Sequence, residues 1–221
     1  IVINQPFRYK FKLLISVSKR IGFINTLYLG FRRIFFEKSK FKYLINGHLI
    51  ETDYKKLCHN IIYTKGTNSK KTEEILKKIH PDILVLGQTG ILREKIINKS
   101  KYTINAHPGI LPYYKGVDVH KWALINKDFD KIGCTVHLVD KGIDTGSILK
   151  TKRNNKLDFS NIYELIDLLY EDCSNCIIEV IFSILNNKLK IKKNSIDIGK
   201  QFYKMDFKNE RKIKPLLKLY I

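Results

Sequence analysis

Acidic residues are scarce in this chain: 21 Asp and Glu stand against 41 Lys and Arg, a formal charge of +20 over 221 residues. Cysteine is scarce too, at four residues: Cys58, Cys134, Cys173 and Cys176. Only the last two make a C-x-x-C, and no second pair or flanking histidine completes a zinc site. The sequence therefore offers no metal-ligand cluster, and a reduced, cytoplasmic protein is expected. No apolar run approaches the ~20 residues of a membrane span. The longest, near Cys176 to Leu185, is interrupted by Glu179. Methionine occurs once and the chain opens on Ile1, so an initiator Met is absent and no intact signal peptide is recognised. What is abundant is hydrophobic side chain, at 44%. That excludes a disordered chain, and a chain of this size buries enough surface to fold without disulfides.

The positive charge first suggests a nucleic-acid binder. Its composition argues otherwise. The chain holds 34 Lys against 7 Arg, together with 33 Ile and 16 Asn. Nucleic-acid readers favour Arg, whose planar fork matches phosphates and guanines. Lys, Ile and Asn rising together fit drift in an AT-rich coding sequence. The charge is also uneven: residues 1–42 carry ten basic groups and one acid, and residues 186–221 carry eleven and three. The middle of the chain is close to balanced.

That middle alternates two patterns. Asn68 or Ser69 opens a charged helix that closes at Lys77 to Pro81, with Glu73 and Glu74 where the helix dipole favours acids. Asp82 to Leu86 is a short apolar run of the kind that makes a buried strand. Gly87 to Gly90 turns into a short helix over about Leu92 to Lys99, and Tyr102 to Asn105 reads as the next strand. This is βαβ logic, and it predicts an α/β fold: a Rossmann-like open, twisted, mostly parallel sheet flanked by helices. His107 to Gly116 holds two of the five prolines and reads as a rigid loop, neither helix nor strand. Val117 to Asn126 resumes a helix, Gly133 to Val139 alternates as a strand, and a polar loop, Asp140 to Gly146, leads to a strand near Ile148. A long helix over Asn161 to Asn187 carries one apolar stripe, on which Cys173 and Cys176 are small buried residues. In the N-terminal third, Ile1 to Ile3 suggests a strand and Phe23 to Phe36 a basic, aromatic-rich helix.

Three polar side chains fall where open α/β sheets bind ligands, outside the carboxyl ends of strands. Asn105 and His107 follow one strand, and Asp144 sits in the loop after another. Taken singly, Asn105 reads as a strand end, His107 as a packed histidine and Asp144 as a loop acid. Together they read as a site. His137 reads as packing on its strand, His120 lies on a helix face beside Trp122, and Lys115 reads as a solvated lysine. Tyr113 and Tyr114 suit a pocket wall or core packing equally.

The strings INAHPGILPYYKG, VHLVDKGIDTGSIL and PDILVLGQTGIL resemble the formyltransferases that use 10-formyltetrahydrofolate, over about Pro81 to Leu149. The resemblance implies attack of a primary amine on a formamide-like carbonyl. Asn105 and His107 would donate hydrogen bonds to the resulting oxyanion, a contribution worth ~3 kcal/mol per donor. Asp144 would orient His107 or take the amine proton. The folate would lie against Gln88, Thr89, Gly90, Ile91 and Leu92 on one side and Val139, Asp140, Lys141 and Gly142 on the other, largely through main-chain groups. The Leu111–Pro112 bond resembles one often cis in the family. No metal is implied. The implied organisation is a catalytic domain over 1–187 and a short basic C-terminal extension over 188–221.

The family formylates different amines. Glycinamide-ribotide transformylases place a Gly/Ser/Asn loop after the first strand, where this chain has Asn4 to Arg8 without glycine. Initiator-tRNA formyltransferases add a C-terminal barrel, for which the 77 residues after Asp144 leave little room. The remaining resemblance is to the sugar-nucleotide N-formyltransferases, with a dTDP-linked 4-amino sugar as acceptor and a lipopolysaccharide O-antigen role. Nucleic acid is then not an expected partner. A homodimer through Phe23 to Phe36 and the tail is a further reading. A polyanion-binding protein with an inactive formyltransferase fold is the alternative of another class.

Overall fold

The computed structural model describes residues 2–4, 44–45, 48–49, 60–87, 89–154, 162–195 and 197–203. Two compact units divide the chain, Ile1–Ile75 and Leu76–Ile221. The helix expected over Phe23 to Phe36 lies outside the described residues, as does the tail beyond 203.

In the first unit, β1 (Val2–Asn4) pairs in parallel with β4 (Ile61–Tyr63), and β2 (Leu44–Ile45) pairs antiparallel with β3 (His48–Leu49). Helix α1 (Lys70–Ile79) starts where its cap chemistry dictates: the Thr72 N–H donates to Ser69 Oγ at 3.2 Å. A side-chain oxygen there satisfies one of the amides that a helix start leaves without a partner. The buried Thr72 hydroxyl also donates to the Gly66 carbonyl at 2.7 Å, which ties the helix to the loop before it.

The second unit carries a four-stranded sheet in the order β5–β6–β8–β9. β5 (Ile83–Leu86) and β6 (Tyr102–His107) run parallel, joined through the short helix α2 (Glu94–Ile97). β8 (Gly133–Leu138) and β9 (Ile148–Arg153) are antiparallel to their neighbours. The sheet is therefore mixed: the βαβ crossover makes its parallel pair, and β8 returns to β9 through a polar loop, which antiparallel strands permit.

Directly opposed residues of a strand pair project from the same face, so the register sorts the sheet's two sides. On one side Ile104, Cys134 and Val136 meet Cys173, Cys176 and Val180 of α4 (Ile162–Leu185), all buried. The apolar stripe read from the sequence is the one that covers the sheet. Two ion pairs, Lys152 with Asp172 at 2.6 Å and Lys150 with Glu179, fasten β9 to the same helix. On the other side stand Asn105, His107, Thr135, His137 and Thr151.

One segment departs from the expected loop. After a turn over residues 111–113, with the Leu111–Pro112 bond cis, Tyr114–Gly116 forms strand β7. It pairs in parallel with β10 (Lys200–Phe202). The pairing partner lies far along the chain, so nothing local announces it. Gly116 adopts φ +105, and a Cβ there would stand 1.9 Å from the Phe202 carbonyl oxygen. Only glycine fits that approach. Tyr114 and Phe202 stack at 5.5 Å and share a core with Val119 and Leu124 of α3 (Val119–Ile125) and with Leu165 and Leu169 of α4.

Candidate active site

Asn105 and His107 are the last inward-facing residues of β6, within the strand rather than beyond it. Their register partners on β8 are His137 and Thr135. Asp144 arrives from the β8–β9 loop with a left-handed backbone, φ 55, which short polar residues such as Asp tolerate. Four hydrogen bonds and one close approach set that loop. Asp140 Oδ1 accepts from the Gly142 N–H at 3.1 Å and the Thr145 hydroxyl at 2.6 Å. Asn194 Nδ2 donates to the carbonyls of Asp144 and Gly146 at 3.0 and 3.1 Å. Gly146 is packed so closely that a Cβ would stand 1.8 Å from the Leu138 oxygen.

The result is a compact polar cluster. His107 Nδ1 lies 3.4 Å from Asp144 Oδ2, and His137 Nε2 lies 3.5 Å from Asp144 Oδ1. Asn105 Nδ2 lies 3.3 Å from His137 Nε2. The Gly116 N–H donates to Asp144 Oδ2 at 2.7 Å, so the unexpected strand β7 braces the carboxylate. Both histidines and most of Asp144 are withdrawn from solvent.

Main-chain acceptors fix the histidine protons. His107 Nε2 stands 2.8 Å from the Tyr114 carbonyl, an acceptor only, so Nε2 carries the hydrogen and Nδ1 faces Asp144. His137 Nδ1 stands 2.7 Å from the Leu138 carbonyl, so Nδ1 carries its hydrogen and Nε2 accepts from the Asn105 amide. One N–H of Asn105 is thereby spent on orientation, and the second points free of that bond. Burial pushes the Asp144 carboxyl up, but the attraction of the His107 and His137 rings and the Gly116 N–H outweigh it and bring it down to about 2. Burial pushes His107 below its ordinary value, against the pull of the Asp144 charge. The pair therefore keeps a carboxylate beside a bare imidazole nitrogen, an arrangement that accepts and holds one proton.

The sequence-predicted trio Asn105, His107 and Asp144 comes together. His137, expected only to pack, stands at its centre. Strand alternation put His137 on a face, but without the register nothing placed that face opposite Asn105. Asn194 had no local signal either. Lys115, expected in solvent, is buried at 7% exposure, because β7 pairs with β10. His120 is buried with neither ring nitrogen partnered among the described residues.

Among the expected folate residues, Gln88 lies outside the described residues. Thr89, Gly90 and Ile91 are exposed, as are Asp140, Lys141 and Gly142, with Val139 half-buried. An ion pair of 3.1 Å joins Lys141 to Glu94, the first residue of α2. The Leu92 side chain turns away into a core with Leu76 and Ile96. No cluster of metal-ligating side chains occurs among the described residues, and no described helix is long and apolar enough to cross a membrane.

Sequence and fold comparisons point the same way as the cluster. A family model described as Formyl transferase matches residues 47–171. The chain is 33% identical over 144 residues to a methionyl-tRNA formyltransferase of Clostridium perfringens, covering 63% of this chain and 46% of that protein. It is 34% identical over 146 residues to one from Sulfurihydrogenibium, covering 64% and 44%. The chain thus spans about half the length of the curated relatives it matches. Among solved structures it resembles a 4-N formyltransferase from Francisella tularensis at 26% identity and TM-score 0.57, covering 72% of this chain and 64% of that one. It shares the fold of the formyltransferase PseJ from Anoxybacillus kamchatkensis, with TM-score 0.58, 21% identity, and coverage of 72% and 86%. That structure holds UDP-4,6-dideoxy-4-formamido-L-AltNAc and tetrahydrofolate.

Proposed function

This chain belongs to the formyl transferase family, and from that premise we propose that it moves a formyl group from 10-formyltetrahydrofolate to the primary amine of an amino-deoxysugar nucleotide. The observation that carries the reading is the convergence of Asn105, His107 and His137 of one sheet face with Asp144 of the β8–β9 loop, linked in a chain by contacts of 3.3 Å (Asn105–His137), 3.5 Å (His137–Asp144) and 3.4 Å (Asp144–His107). Its donor set suits acyl transfer to nitrogen. 10-Formyltetrahydrofolate supplies the formyl carbon and leaves as the folate amine. The free N–H of Asn105 donates to the oxygen on which negative charge grows, held in direction by its bond to His137. His107, once protonated at Nδ1, donates there to Asp144, which that nitrogen faces. Asp144, a carboxylate at neutral pH, stabilises that imidazolium, which holds the proton the attacking amine gives up and returns it to the folate nitrogen as the bond between that nitrogen and the formyl carbon breaks. The exposed loops over 89–91 and 140–142 bind the folate largely through main-chain groups.

Transfer to a 4-amino group is supported by the Francisella 4-N formyltransferase, the more identical of the two structures above, and the sugar nucleotide by the resemblance read from the sequence. The curated relatives' names favour charged initiator tRNA as the competing acceptor. The catalytic part would span 1–187, with 188–221 as an extension whose strand β10 buttresses β7. Mass spectrometry after mixing the protein with 10-formyltetrahydrofolate and a panel of amines tests the reading. A product heavier by one formyl group is expected on an aminosugar nucleotide. Formylation of charged tRNA alone would overturn the acceptor, and formylation of nothing would overturn the activity.

A further inference from the structure

A cavity of about 610 Å³ lies away from the Asn105–His107–Asp144 cluster. It lies across the same sheet face. His107 opposes Thr135, Thr135 opposes Thr151, and Thr151 lines the cavity. The turn after His107 separates the two places. Its main chain is pinned over Thr135, whose hydroxyl donates to the Gly109 carbonyl at 2.9 Å and accepts from the Leu111 N–H at 3.1 Å. Tyr114 braces His107 on one side of this wall, while Leu111, Pro112 and Tyr113 line the cavity on the other.

The cavity's lining has two halves. One is cationic: Lys152, Arg153, Lys192 and Lys193. Asp172 takes up the charge of Lys152, but no carboxylate among the described residues stands within ion-pair distance of Lys192, Lys193 or Arg153. The Arg153 head is steadied by donating to the Asp130 carbonyl at 3.0 Å. The Lys192 main chain is fixed by two 2.8 Å hydrogen bonds with Ile148, so its side chain springs from an anchored backbone. Thr151 and Ser195 add hydroxyls to this half. The other half is apolar, from Ile110, Leu111, Pro112, Ile148 and Ile198. The volume is that of a small-ligand site, far beyond one phosphate ion.

We propose that this cavity is a second binding site, for a nucleoside diphosphate or a phosphate ester of like size, with the phosphates on Arg153, Lys192 and Lys193 and the organic body on the apolar wall. Lys192 and Lys193, which have no carboxylate partner among the described residues, and Arg153, whose charge also acts on Asp130, match the charge of a diphosphate, and a wholly polar ligand would leave the apolar half uncovered. The chain's own C-terminal stretch, Lys208 to Lys218, carries the wrong sign to fill it. The site goes beyond the formyl-transfer reading and stands whichever amine is formylated.

Calorimetric titration of the full chain with UDP and with inorganic pyrophosphate tests it. UDP is expected to bind about tenfold tighter than pyrophosphate, and both more weakly at high salt. Lys192→Ala/Lys193→Ala, two exposed positions, is expected to remove one equivalent of UDP binding or weaken it at least tenfold with the melting temperature unchanged. Thr151→Glu, which places a carboxylate in the cavity, is expected to do the same. Asn105→Ala/His107→Ala is expected to leave that equivalent intact. Absence of saturable binding, equal affinity for the two probes, or loss that follows Asn105 and His107 instead of the lysines would each overturn the proposal.

Discussion

In the proposed reaction Asn105 acts through the single N–H that His137 leaves free. Asn105→Ala should therefore lower formyl transfer by about a hundredfold to a thousandfold, as loss of one oxyanion donor does elsewhere, while folate binding measured by fluorescence holds. Asp144→Asn should separate binding from turnover more sharply. The amide keeps the shape but cannot stabilise an imidazolium, so kcat should fall by orders of magnitude with folate affinity little changed. Unchanged kcat would remove Asp144 from the mechanism. His120 offers a test of stability. Burial first, then the charge of Lys121, lower it to about 4 against an ordinary 6.5. The unfolded chain thus takes up that proton before the folded one. The neutral ring costs nothing extra above pH 6.5, and stability is lost as pH falls from 6.5 toward 4, by roughly 3 kcal/mol in all. His120→Leu should remove that share of the acid sensitivity and be neutral or stabilising at pH 7.5, since both ring nitrogens are without partners among the described residues. Thermal melts at pH 7.5 and 5 read it directly. An unaltered pH dependence would contradict the account.

At the scale of elements, what could be read in advance was whatever local pattern controls. The α4 stripe repeats at helical spacing, and it covers the sheet through Cys173, Cys176 and Val180 as the spacing requires. Ser69 announced the start of α1 because a cap is a local device. The motif residues Asn105, His107 and Asp144 were legible as a group. Their support was not. β7 forms only because residues 200–202 return to pair with it, and that pairing buries Lys115 and brings the Gly116 N–H to Asp144. His137 entered the site through strand register, which a single sequence does not display. Gly116 joins these facts in one testable position. Gly116→Ala forces a side chain into a left-handed backbone and against the Phe202 oxygen. It should cost at least ~2 kcal/mol of stability and, by shifting the N–H from Asp144, lower kcat more than it raises KM. A variant as stable and active as the parent would show that the β7–β10 pairing does not brace the site.

For the whole molecule, the +20 charge is the feature most easily misread. Lysine carries it, mostly at the two ends, while the catalytic cluster is organised around a carboxylate and two histidines with lowered or main-chain-fixed protons. If the proposed substrates are right, the excess charge attracts their phosphates and the anionic folate tail, so KM for a nucleotide acceptor should rise with ionic strength while kcat stays nearly constant. The central claim is that this chain moves a formyl group through Asn105, His107 and Asp144. The most direct measurement is the mass of the acceptor after incubation with 10-formyltetrahydrofolate, in parallel for the parent chain and Asp144→Asn. The account predicts an aminosugar nucleotide heavier by one formyl group with the parent and almost none with the variant. An unmodified acceptor across the whole amine panel, or equal product from both proteins, would contradict it.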